Sequence, residues 1–260
     1  MSVLSSNAVS HEFTKKLPLA SKNEQTMSFW DLPYLESAYI STRPEERSDG
    51  LVVGDLSKVT KNKNEIIQLS KDIQLGKYGL YDSLLISHKD TLIYESYYRR
   101  SRVDLPSGQA SATKALTSLI VDIAIQKGHL TLDDLHKPLV SFFSDLEPSK
   151  FVSGVEKITL HKALTMRGGI KIDQETIKEI EKQPGNLKGQ KHIQAILENS
   201  KAITETSQAY AYGNLNDVLV MQVIDAVVPG GAEQFIKSEL LDKLGVNNRT
   251  YPKKVDTIYS

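Results

Sequence analysis

Two short groups of residues in this sequence have the types and spacing for covalent chemistry. The first is Ser111-Ala-Thr-Lys114. A hydroxyl and an amine three positions apart on a helix share one face, within side-chain reach. A serine hydroxyl is a weak nucleophile until something takes its proton. A lysine can take it when burial or neighbouring cations bring its pKa towards neutrality. If the pair opens a helix, backbone N–H groups and the positive dipole end stand near the oxyanion that forms. The competing reading is a Ser N-cap with a surface Lys one turn on. The second group is Tyr212-Gly213-Asn214. A phenol beside a Ser–Lys pair can relay a proton to the leaving group, and the Asn can donate to a substrate carbonyl or to the lysine. The competing reading is a buried Tyr and an N-cap Asn, since Asn214 directly precedes an apolar helix.

The elements that must position these residues are legible in the hydrophobic pattern. Ser83–Ser87 and Thr91–Tyr98 read as two strands around the polar turn His88-Lys89-Asp90, the second strand rich in β-branched and aromatic residues. Arg99, Arg100 and Arg102 follow as a basic exit, read as a solvated strand end. From Ser111 to Gln126 apolar residues fall on nearly every face, the pattern of a buried helix. Gly128 ends it, and Thr131-Leu-Asp-Asp134 resembles a capping box. Before the hairpin, Asn62 to Gly76 carries Ile66, Leu69 and Ile73 at helical spacing. After the capping box, helices are expected at 159–166, 173–182, 190–199, 214–228 and 232–244, with Pro229-Gly230-Gly231 as a break. Residues 1–50 read as an irregular arm packed through Phe29, Trp30 and Tyr34.

Composition narrows the function classes. The 260 residues carry 32 basic and 32 acidic side chains, and no long Lys/Arg block marks a nucleic-acid or anionic-membrane binder. The absence of Cys excludes disulfides, thiol catalysis and Cys-ligated metals. The histidines (His11, His88, His129, His136, His161, His192) show no short ligand spacing, so no metal site is expected. No apolar stretch reaches the length of a membrane span. The N-terminus has no signal-like run, so the protein is expected to be soluble and cytoplasmic, or periplasmic if a signal peptide has been removed.

Four stretches together resemble the serine β-lactamase-related hydrolases, within them the class C β-lactamases, D-alanyl-D-alanine carboxypeptidases, esterases and short-amide hydrolases. DSLLISHKDTLIYESYYR is similar to that family's two N-terminal strands, and ASATKALTSLIVDIAIQKGHLTLDD to its nucleophile helix. KITLHKALTMRGGI resembles its I-T-[IL]-x-x-L-L-x-x-x-[ST]-G segment, and YAYGNLNDVLVMQVID its Y-[SGA]-N-x-N segment. Order and spacing fit as well, over roughly residues 80 to 245. The resemblance implies an α+β fold, with an antiparallel sheet flanked by helices and a mainly helical domain. It implies that Ser111 is acylated, Lys114 deprotonates it, Tyr212 works as base and acid with Lys114, and Asn214 orients substrate. It implies neither metal nor cofactor.

The sequence departs from that family's pattern in one place. The third motif, Lys-Thr-Gly or His-x-Gly on a later strand, does not occur after Tyr212. A front portion, a truncated product or half of a split enzyme is therefore expected, with C-terminal strands lacking and the hairpin edge unpaired. The expected domains are the arm at 1–50, part of an α/β domain at 51–128, a helical domain at 129–245 and a tail at 246–260. The expected function is hydrolysis of a small ester, amide or lactam through an acyl-enzyme on Ser111. The alternative is a non-catalytic binding subunit or incomplete chain, whose sheet is completed by a partner chain or a second copy.

Overall fold

The computed structural model describes residues 13–182 and 189–246. His11, the start of the arm and the tail beyond Val246 lie outside the described residues. The chain separates into two compact units, Met1–Gly108 and Gln109–Val246. That boundary differs from the expected one at 128. The Ser–Lys helix belongs with the helical unit, because its buried residues join the apolar core of that unit.

The first unit holds β1 (Tyr39–Ser41), β2 (Val52–Val53), α1 (Leu56–Val59), α2 (Lys63–Gln74), β3 (Ser83–His88) and β4 (Thr91–Tyr97). Lys89 and Asp90 connect β3 to β4, both with positive φ (49° and 60°). That is the twist a two-residue hairpin turn needs. β3 pairs antiparallel along β4, while β1 (antiparallel) and β2 (parallel) share the other edge of β4. The sheet is therefore mixed, not purely antiparallel as expected. Among the described residues the outer edge of β3 has no partner strand, and Leu85 on it is 50% exposed.

Residues 1–50 are not an irregular arm. β1 lies within them, in register with Tyr39 opposite Tyr97 and Ser41 opposite Glu95. Glu95 is fully buried, and Arg47 meets it with two hydrogen bonds of 3.0 and 2.9 Å. The Tyr97 hydroxyl donates a third, at 3.0 Å. A buried carboxylate is tolerable only with such partners. The basic exit after β4 is not a solvated strand end either. Arg102 is buried, its Nε donating to Glu24 at 3.2 Å. Arg99 and Arg100 stack on the Tyr34 ring, 4.9 and 4.7 Å from its centroid. The three arginines clamp the N-terminal segment to the strand end.

The second unit is helical: α3 (Thr113–Gln126), α4 (Leu160–Leu164), α5 (Gln174–Glu181), α6 (Gly189–Asn199), α7 (Leu215–Val227) and α8 (Gly231–Ile236), with a π-helical turn at Lys237–Leu241. Short 3-10 turns fill the stretch between α3 and α4. The Thr131–Asp134 box forms: the Thr131 N–H donates to Asp134 Oδ2 at 2.7 Å, and the Asp134 N–H to Thr131 Oγ1 at 3.3 Å. α7 runs through the centre of the core, with Val218, Leu219, Val220, Val223 and Ile224 buried. α3 contributes Ile120, Val121 and Ala124 to the same core. It is not buried all round, since Leu116 and Leu119 are each 41% exposed.

Candidate active site

The sequence-predicted residues come from two places in the second unit. Ser111 sits in a 3-10 turn, Ala110–Ala112, that leads directly into α3. Ala110 before it has a left-handed φ of 43°. Alanine has no side-chain bond to offset that conformation, which costs about 1–2 kcal/mol and tends to occur at functional sites. Thr113 Oγ1 donates to the Ala110 carbonyl at 2.7 Å and closes the turn. Ser111 is therefore not the helix N-cap. It is exposed, and its hydroxyl makes no hydrogen bond among the described residues.

Lys114 stands in the first turn of α3 and reaches the start of α7, a hundred residues away in sequence. Its Nζ donates to Asn214 Oδ1 at 2.9 Å. It also lies 3.2 Å from Asp217 Oδ2 and 5.2 Å from the Tyr212 ring centroid. Asn214 directly precedes α7 but has helical backbone angles (φ −83°, ψ −24°) and makes no capping bond. Its carbonyl oxygen serves Lys114 instead, which leaves the amide N–H groups as donors. Tyr212 is 59% exposed and offers Lys114 its ring face, with its hydroxyl towards no described partner. The structure thus brings Lys114, Tyr212 and Asn214 together, and places Ser111 one turn away without a hydrogen bond to Lys114.

A second pair of segments fixes this arrangement. The Ala211 N–H donates to the Met166 carbonyl at 2.9 Å, and Arg167 Nε to the Gln208 carbonyl at 3.3 Å. The Gly168 N–H donates to Oδ1 of the buried Asn216 at 3.1 Å. A Cβ on Gly168 would sit 2.4 Å from that oxygen, so only glycine fits there. Gln208, also buried, accepts from Lys162 Nζ at 2.7 Å and donates to the Lys157 carbonyl at 2.9 Å. The Arg167-Gly-Gly169 loop is therefore the scaffold on which Tyr212 and Asn214 are held. Sequence reading placed Gly168 and Asn216 inside family-like segments without a role, and missed Asp217. The one signal for Asp217 was an acidic residue in the first turn of an apolar helix.

The Beta-lactamase family model matches residues 79–254. That is more than half of the sequence, and the chain belongs to this family. No curated protein sequence matches it. Nine chains among solved structures do. One is a D-stereospecific amidohydrolase from Streptomyces sp., 17% identical, with a TM-score of 0.49. The match covers 67% of this chain and 53% of that one, so this chain spans about half the length of that relative. Membership of the family gives the chain an α+β fold of β-lactamase type.

Proposed function

We propose that this protein is a serine hydrolase that cleaves a small ester, amide or lactam through an acyl-enzyme on Ser111. The observation that carries this reading is the contact between Lys114 and Asn214, which unites the two chemistry-bearing motifs from opposite ends of the helical unit. In the proposed reaction the Ser111 Oγ attacks the substrate carbonyl while its proton passes to the amine of Lys114. The Tyr212 hydroxyl relays a proton to the leaving group, and the Asn214 amide N–H groups hold the substrate carbonyl. Water then attacks the acyl-enzyme and frees Ser111.

A second reading rests on the outer edge of β3, which has no partner strand among the described residues. In it, a partner chain or a second copy adds strands to that edge, and the isolated chain binds without turning over. Turnover of a nitrophenyl ester and of a chromogenic cephalosporin by the 260-residue chain and by Ser111→Ala tests both. The proposed function predicts measurable turnover, lost by at least about a thousandfold in Ser111→Ala with folding intact. Equal turnover in the two chains contradicts it. Turnover that appears only on adding a partner chain supports the second reading.

A further inference from the structure

The amine of Lys114 has more than one suitor, and one of them opposes its proposed task. A lysine side chain is an ammonium at neutral pH in the ordinary case. An ammonium has three N–H donors and no acceptor, so it cannot take the Ser111 proton until it has given one up. Here its Nζ is turned onto α7, where Asn214 Oδ1 and Asp217 Oδ2 lie 2.9 and 3.2 Å away. The Ser111 hydroxyl, in the 3-10 turn that precedes α3, receives no bond from it among the described residues. Among the described residues, the ionisable groups that touch Lys114 are the Asp217 carboxylate and the Tyr212 ring. The pair is shielded on most sides: the two side chains are 18% and 22% exposed.

We propose that Asp217 is a positioning residue that restrains the reaction, holding the Lys114 side chain on α7 and away from Ser111. The proposal rests on Ser111 and Lys114 being the nucleophile and base of the proposed function. Substrate entry would have to displace this pair before Ser111 is activated. The simpler role for Asp217, an acidic residue complementing the α7 dipole, predicts the opposite: its loss should only weaken the protein.

The two roles separate in Asp217→Asn, which keeps the shape and removes the charge. The measurements are the rate of covalent labelling of Ser111 by a fluorophosphonate, kcat and KM for a nitrophenyl ester, and the melting temperature. The expected result is a labelling rate raised roughly fivefold to tenfold, a tenfold gain corresponding to about 1.4 kcal/mol. kcat should rise with KM little changed, and Asp217→Glu should restore the slow rate. A labelling rate equal to or below wild type in Asp217→Asn, at an unchanged melting temperature, overturns the restraint and leaves the serine mechanism standing. No labelling of Ser111 in any of the chains overturns both. Labelling in Asp217→Asn alone would be the strongest support.

Discussion

The second unit gathers twenty-three buried residues into one apolar core, to which α3, α6 and α7 all contribute. The first unit has two small apolar clusters, each with three buried residues, Ala38–Ile73–Tyr98 and Leu56–Ile93–Tyr94. Besides these clusters it buries charge and hydroxyls: Arg47 on Glu95, Arg102 on Glu24, and Ser70 against the Tyr94 phenol, which burial pushes up to about 12. The candidate site lies on the unit with the large core. Lys114 and Asn214 stand at the starts of two helices that both sink into that core, so packing fixes the backbone from which each side chain projects. Apolar packing supplies stability without consuming polar groups, which leaves those at the helix ends for chemistry. The first unit uses its polar groups to hold itself together.

This contrast can be broken by mutation, with the largest effect expected at the centre of α7. Leu219→Ala should lower stability by about 3–4 kcal/mol, measured by urea unfolding, because the core there is closed on all sides. A loss under 1 kcal/mol would mean that the second unit is loosely packed. Next comes Arg47→Met, which leaves the Glu95 carboxylate buried without its counter-ion. It should cost about 3 kcal/mol, while the double change with Glu95→Leu should recover most of the loss. Failure of the double variant to recover would show that the pair specifies the β1–β4 register more than it stabilises it. The smallest effect concerns His192 on α6, whose imidazole burial pushes below its ordinary value. A base held low in the folded state binds its proton more readily when unfolded. Stability should therefore be complete above the ordinary imidazole range and decline as pH falls through it towards the folded value. His192→Gln should flatten that decline in thermal melts across pH 5 to 7, a window around the ordinary value of about 6.5. An unchanged slope would assign the acid sensitivity elsewhere.

Much of the fold was legible because it is encoded locally. The β3–β4 hairpin follows from an apolar run and a β-branched and aromatic run around the polar turn His88-Lys89-Asp90, and α2 and α7 from period and flanking residues. β1 was not legible. Three residues carry no pattern, and it is a strand only because β4 offers it an edge. Arg102 was misread because a local rule about charge runs cannot see Glu24, far away in sequence. α3 was read as fully buried because composition does not tell which apolar face meets a neighbour. At the site, the residue types at 111, 114, 212 and 214 were readable, and the resemblance joined them. The choice between cap and contact for Asn214 was not readable, because both use the same oxygen and only the fold decides which donor arrives. Asp217 could not be singled out for the same reason.

The central claim is that Ser111 becomes acylated. It is tested most directly by acid-quenching the protein during turnover of a nitrophenyl ester and locating the acyl mass on its peptides. The account predicts the added acyl group on the peptide containing Ser111, absent in Ser111→Ala and scarce in Lys114→Ala. An acyl group found on another residue, or turnover with no acylated peptide at all, would contradict it.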